Sequence, residues 1–367
     1  GLMSIEFNCF DGHDCVSQSL SIPNTGVNTS KLYRMEQFVD SFPDKEAHMT
    51  GEEIHKCLDQ IEEIHALYSP KTLGLAAAIA CCGFTFLLGG GLPEMLFAFV
   101  AAGIGNALRT KLIKHHFTLF LNVALSVSSA CLIYALLLKM AELALHISVL
   151  HEAGYICSML FIIPGFPFIT SGIDLSKLDL RSGLERLTYS VIIVLVATMF
   201  AWIMALILKL QPVDFIAIHL STTALLILRL LTSFCGVFGF SIMFNSPVPM
   251  AATAAAIGAL ANTLRLELVD LAGLPPAAAA FIGALTAGLL ASAIKQYNGY
   301  PRISLTVPSI VIMVPGLYLY RAIYNFGIMS LTEAVSWFAA AAMIIIALPL
   351  GLIFARILTD RTFRYCT

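Results

Sequence analysis

Leu187-Thr188-Tyr189-Ser190-Val191-Ile192-Ile193-Val194-Leu195-Val196-Ala197-Thr198-Met199-Phe200-Ala201-Trp202-Ile203-Met204-Ala205-Leu206-Ile207-Leu208 runs for 22 residues without a charge. A helix needs about 20 apolar residues to cross the hydrocarbon core of a bilayer, so this stretch alone points to a membrane span. The surrounding composition agrees. Hydrophobic residues make up 58% of the 367, charged residues only 12%, and the mean hydropathy is +0.86. A soluble domain carries about a quarter of its residues as charges, so a soluble fold is excluded.

The charges are unevenly spread. Residues 1–71 hold 12 acidic and 5 basic side chains, and the remaining 27 of the 44 charges are diluted over the rest of the chain. The break at Pro70-Lys71 separates an aqueous head, 1–71, from a lipid-dissolved body. The body carries further candidate spans at 73–90, 92–109, 117–138, 143–163, 215–243, 247–264, 275–294, 303–325 and 333–356, which makes about ten with 187–208. Gly89-Gly90-Gly91-Leu92-Pro93 breaks the first from the second as a tight reversal. With the head placed in the cytoplasm, sixteen Lys and Arg fall inside and four (Lys139, Lys209, Arg265, Arg321) outside, as the positive-inside rule requires. Arg229, within the sixth span, reads as structurally paired or snorkelling. Both termini are then cytoplasmic in the cell membrane.

The body repeats itself. Asn106-Ala107-Leu108-Arg109 recurs as Asn262-Thr263-Leu264-Arg265, 156 residues later. Ile163-Pro164-Gly165 recurs as Val314-Pro315-Gly316, 151 residues later. These offsets carry a first five-span unit (72–210) onto a second (211–367). Five is odd, so the second copy enters the membrane upside down. The expected fold is an all-α polytopic membrane protein of two five-helix inverted repeats, with a small N-terminal α/β cytoplasmic segment. Inverted repeats with broken helices are a mark of secondary transporters. Proline removes a backbone donor and glycine opens φ/ψ space; the freed polar groups are tolerated at membrane depth only against protein or a cavity.

In the head, Ile5–Phe10, Asp11-Gly12 and Val16–Leu20 read as a β-hairpin. Thr50-Gly51-Glu52-Glu53 reads as a capping box opening a helix striped with Ile54, Leu58, Ile61 and Ile64. His55 and His65 read as part of a solvated face rather than a metal site. The nine cysteines contain no C-x-x-C pair, so neither a disulfide scaffold nor a zinc site is expected. The chain opens at Gly1 and is expected to be an N-terminally truncated fragment.

No phosphate loop, dinucleotide fingerprint or G-x-S-x-G elbow is present, and no nucleic-acid-binding surface, cofactor or catalytic residue is expected. Ionisable groups inside a membrane cost about 2.5–3.5 kcal/mol and are functional candidates. The segment Pro164-Gly165-Phe166-Pro167-Phe168-Ile169-Thr170-Ser171-Gly172-Ile173-Asp174 offers two hydroxyls and a carboxylate. Its partner Pro315-Gly316-Leu317-Tyr318-Leu319-Tyr320-Arg321 offers phenols and a guanidinium that suits a carboxylate. The expected substrate-binding set is Pro164, Gly165, Thr170, Ser171, Asp174, Pro315, Gly316, Tyr320 and Arg321, clamping a small zwitterion. Asp174 and Arg321 also have a plainer reading as snorkelling interfacial residues. His146, His151 and Glu152 fit either proton relay or contacts between helices. Asn106 and Asn262 fit interhelical hydrogen bonding.

At these residues the chain resembles the threonine/serine exporter (ThrE) family: the capped helix Thr50–Leu67, the P-G-x-P-x-x-T-S-x-x-D-L type segment 164–175, and V-P-G-x-x-x-Y-R at 314–321. The G-x-S-T-x-R-V-E type helix with which that family opens is missing. The resemblance implies proton-driven export of threonine and serine, with protons and the lipid bilayer as further partners. Related split proteins are associated with succinate, so a carboxylate exporter is the near rival and a membrane-embedded enzyme the distant one. Homo-oligomeric assembly is left open.

Reporter fusions at Lys177 and Lys295 test the topology. Both are expected on the same, head-containing face; signals from opposite faces would end the inverted arrangement.

Overall fold

A computed structural model describes residues 4–12, 14–21, 26–43, 49–145, 152–210 and 220–365. The head begins with an antiparallel hairpin, β1 (Ser4–Asp11) and β2 (Asp14–Ser21). Its turn lies one residue later than the Asp11-Gly12 reading. Asp11 still pairs with Asp14, and Gly12 takes φ +55, which glycine adopts without steric cost. Two helices follow, α1 (Thr29–Ser41) and α2 (Gly51–Glu62). The capping box opens α2 as read: Thr50 Oγ1 accepts from the Glu53 N–H, and Glu53 Oε2 accepts from the Thr50 N–H at 2.8 Å.

The body consists of α3 (Pro70–Leu87), α4 (Leu92–Lys114), α5 (Leu119–Leu145), α6 (Glu152–Cys157), α7 (Gly165–Ser176), α8 (Leu180–Leu208), α9 (Thr222–Met243), α10 (Val248–Asp270), α11 (Pro276–Asn298), α12 (Arg302–Val311), α13 (Gly316–Gly327) and α14 (Leu331–Thr359). Seven of these are long and apolar enough to cross a membrane alone. Residues 153–162 with 165–176, and 302–311 with 316–327, form two bent pairs that raise the number to nine. Helix α10 has crossing length, about 35 Å at the α-helical rise, but ends in Arg265, Glu267 and Asp270. The chain is a multi-pass membrane protein. Its packing is that of a lipid-solvated bundle. Alanines such as Ala77, Ala101, Ala197, Ala254, Ala284 and Ala341 are fully buried, while Leu195, Ile207, Phe338 and Leu358 are at least half exposed. Lipid gives large apolar side chains no reason to turn inward, so small residues that permit close backbone approach take the interior.

The span expected at 143–163 is redrawn among the described residues: 143–145 belong to α5, 146–151 lie outside the described residues, and the crossing unit is the bent pair 153–162 with 165–176. The span expected at 303–325 is likewise a bent pair. The backbone bends by 64° and 48° respectively at Pro164-Gly165 and Pro315-Gly316. At both places the glycine N–H reaches the carbonyl two residues back, Gly165 to Ile163 at 2.8 Å and Gly316 to Val314 at 2.9 Å. The intervening prolines have φ/ψ of −81/63 and −82/58. That is an inverse γ-turn, made twice by the same dipeptide. The span expected at 215–243 starts at Thr222, where Ser221 caps the helix through the Ala224 N–H.

The repeat is visible in three dimensions. Helices α4 and α10 have 23 residues each, α7 and α13 have 12, and α8 and α14 have 29. Leu178 and Met329, 151 residues apart, both turn left-handed before the last helix of their set, at φ 62 and 63. The packing partners α3–α4, α4–α5, α5–α8 and α7–α8 recur as α9–α10, α10–α11, α11–α14 and α13–α14. Helices α3 and α9 meet at the seam. A Cβ on Gly83 would lie 2.6 Å from the Thr232 carbonyl oxygen, and one on Gly239 would lie 2.3 Å from that of Ala76. Residues 83 and 239, and 76 and 232, are each 156 apart, so this is one contact made twice. Since 76 faces 239 and 83 faces 232, the two helices run antiparallel. Across the breaks, Gly165 meets Val311 and Gly316 meets Leu160, again as a symmetric pair.

Gly239→Ala places a methyl in the α3–α9 seam and is expected to cost about 1–3 kcal/mol, the usual cost of overpacking. The measurement is the unfolding midpoint in detergent, against Gly51→Ala, where nothing lies within 4 Å of the added carbon. An unchanged midpoint would show that the seam is loose.

Candidate functional site

The first break opens onto a cavity of about 660 Å³, within the range of about 300–1,000 Å³ common for small-molecule sites. Its walls come from both repeats and from the head: residues 161–167 with Thr170, Arg186, Tyr189 and Ile193, the α9 residues Phe240 and Met243 with Phe244, and Asn28, Thr29 and Leu32. Arg109 joins it from α4.

Arg109 gives the site its charge. One guanidinium nitrogen donates to the Phe161 carbonyl at 3.1 Å, which ties the cation to the segment leading into the break. No carboxylate lies within ion-pair distance of it among the described residues, and the Tyr189 phenol lines the same cavity. An unpaired cation in a low-dielectric cleft attracts an anion far more strongly than one in water. Helix α7 adds to this. It begins at Gly165 with no side chain capping its first turn, so its partial positive pole faces the same space. Arg186 is a second guanidinium on the wall, held by Asp174 at 3.1 Å.

The head lines one side of the cavity and is bonded to the body there. Thr29, buried, donates its N–H to the Phe244 carbonyl at 3.1 Å, and its hydroxyl lies 2.7 Å from that of Ser246. Asn245 donates from its amide to Asn28 Oδ1 at 2.9 Å and accepts from the Leu67 N–H at 2.8 Å. The Tyr68 hydroxyl donates to the Ser246 carbonyl at 2.7 Å, and burial pushes this phenol above its ordinary pKa. Lys295 Nζ meets Glu36 at 2.7 Å. The start of α1 is thus fastened to the end of α9, beside the cavity.

Of the residues expected from sequence, Pro164, Gly165 and Thr170 line the cavity, with the Thr170 hydroxyl donating to the Phe166 carbonyl at 3.1 Å. Ser171 is buried and donates to the Phe168 carbonyl, and Asp174 stands behind Arg186. Pro315, Gly316, Tyr320 and Arg321 lie around the other break, outside the cavity lining. Tyr320 packs edge-on against Tyr155, and Arg321 lies over the Trp337 ring at 4.7 Å. His146 and His151 lie outside the described residues. Asn106 donates to the Leu73 carbonyl and Asn262 to Ser233 Oγ, both between helices. Arg229 is paired with Glu267 and Asp270. Sequence reasoning missed Arg109, Arg186 and the clasp of Asn28 and Thr29 on residues 244–246. It also passed over Glu94, buried beside the Gly154 N–H. The repeated Asn-x-x-Arg was itself the signal for Arg109, and it served only as a marker of duplication.

Residues 1–209 match the family model ThrE, for threonine/serine exporters, and residues 229–358 match ThrE_2, described as threonine/serine exporter, ThrE. The first match covers the head with the first helix set, and the second most of the second set. No match was found among curated proteins or solved structures.

Asn245→Gly keeps a backbone that accepts φ +61 but removes both bonds to the head. The expected outcome is a loss of about 1–3 kcal/mol and faster protease release of the head. Cleavage at the parental rate would mean that the clasp does not hold it.

Proposed function

Since the chain belongs to the threonine/serine exporter (ThrE) family, we propose that it carries threonine and serine out of the cell as a secondary transporter driven by the proton motive force. The observation that carries this reading is the cavity at the Pro164-Gly165 break, with Arg109 unpaired on its wall. The substrate carboxylate sits between the Arg109 guanidinium and the first turn of α7. Thr170 and Tyr189 supply hydroxyls for the rest of the molecule. Helix N-termini at unwound segments serve this purpose in other transporters.

Residues of the head, 1–71, line the cavity, so the cavity faces the cytoplasm when the head does. The positive-inside count supports that orientation, with both termini inside and the units 72–210 and 211–367 inverted in the plasma membrane. The Asp174–Arg186 pair at the cavity edge is the group assigned to coupling. Protonating Asp174 releases Arg186 from its partner, which changes the charge offered to substrate. The remaining expected residues, Ser171, Pro315, Gly316, Tyr320 and Arg321, belong to the scaffold of the two breaks in this state. The family's members are transporters, and the described cavity wall holds hydroxyls and guanidiniums without a His, Cys, Asp or Glu as general base. Both features favour translocation over covalent chemistry.

A second reading rests on the same wall. Two guanidiniums and no lining carboxylate also suit a small dicarboxylate such as succinate. Counterflow in proteoliposomes with labelled threonine, serine and succinate separates the two. Threonine and serine are expected to exchange, with flux rising under an imposed proton gradient. Indifference to the gradient removes the coupling, and succinate exchange without threonine exchange selects the dicarboxylate. Arg109→Gln removes a charged hydrogen bond worth about 1.5–3 kcal/mol and is expected to raise KM about 10- to 100-fold. A parental KM would move the carboxylate site elsewhere.

A further inference from the structure

We propose that Arg265 is the second carboxylate station of this transporter, the counterpart of Arg109 that takes the substrate when the site opens to the face opposite the head. The proposal rests on the transporter reading above and extends it to a site that is closed in this structure.

Four observations converge on Arg265. The first is position: Arg109 and Arg265 occupy the same place in two helices of equal length, 156 residues apart. The antiparallel α3–α9 seam fixes their relation. What lies towards the head in one set lies away from it in the other.

The second is proximity to the break. Arg109 touches Phe161, three residues before Pro164. At the other break, a Cβ on Gly283 would lie 3.2 Å from both the Arg265 Cβ and the Met313 methyl, and Met313 is two residues before Pro315. Each arginine therefore attends its own inverse γ-turn.

The third is unmet bonding. Arg265 Nε is covered from solvent and has no hydrogen-bond partner, and the same holds for Asn262 Oδ1 and Thr263 Oγ1 close by in the chain. Buried polar groups without partners are costly, and each in a native fold calls for an explanation. Carboxylates are at hand on the same helix, yet Glu267 and Asp270 both go to Arg229. Arg265 is left for an anion that is not part of the protein.

The fourth is how the space is closed. By the 151-residue offset, Trp337 occupies the place of the cavity residue Arg186, and Arg321 that of Thr170. Trp337 packs edge-on against Tyr318 at 5.3 Å and lies under Arg321 at 4.7 Å. The cavity on the head side is open while this aromatic cluster fills its mirror position. Rocking of one helix set against the other exchanges the two conditions.

The test is threonine transport in proteoliposomes of known orientation, with KM measured from each face. Arg265→Gln is expected to raise KM at least tenfold on the face away from the head and to leave the head-side KM within about twofold; Arg109→Gln is expected to do the reverse. If wild-type protein exchanges threonine but Arg265→Gln changes neither KM, or both equally, the second station is overturned and the transporter reading stands. If wild-type protein moves neither amino acid nor succinate, both fall together. Arg265→Lys keeps the charge and loses only the planar fork, and carries the same test should the glutamine variant fail to insert. A far-side KM at least threefold higher supports the proposal, and an unchanged one overturns it.

Discussion

Two helix backbones touch where α3 crosses α9, at Gly83 and Gly239, and no side chain fits between them. The contact is made twice by symmetry, which forces the two helices to run in opposite directions. Everything downstream follows from it. The helices behind each partner are arranged alike, so the antiparallel seam turns one helix set over relative to the other. In lipid this seam has no hydrophobic drive of its own; close packing of small residues supplies the cohesion. The buried alanines that fill the rest of the interior extend the same rule.

The two γ-turns are the second constraint. A proline at membrane depth leaves polar backbone groups that must meet a partner. Here the following glycine recovers one bond by reaching back two residues, and Val311 and Leu160 pack against the glycines from the opposite set. The remainder is met unequally. At the first break the chain opens into a cavity and Arg109 takes a carbonyl. At the second, aromatic rings close over the equivalent space. The two breaks share nearly identical backbone and differ in their surroundings.

Much of this was legible in the chain. Uncharged runs such as 187–208 fix the membrane, because burying charge in hydrocarbon is costly. The recurrence of Asn-x-Leu-Arg and Pro-Gly segments at nearly constant offset revealed the duplication, and Thr50 with Glu53 the α2 cap. Helix bending was legible as a break but not as an angle. The site was half legible. Pro164, Gly165 and Thr170 lie on the cavity, while Arg321, chosen as a guanidinium suited to a carboxylate, packs on Trp337 from the next helix.

The sequence by itself therefore determined the solvent, most of the spans and the doubling, since those depend on residue type and spacing along one strand of chain. Only the tertiary structure decided which arginine faces open space. Arg109, Arg229, Arg265 and Arg321 have much the same local character, and they differ in what distant helices bring to them. Glu267 and Asp270 reach Arg229, Trp337 reaches Arg321, and Arg109 receives a carbonyl and a cavity. Charge pairing acts through a few ångströms of space, and those distances are set by packing across the bundle.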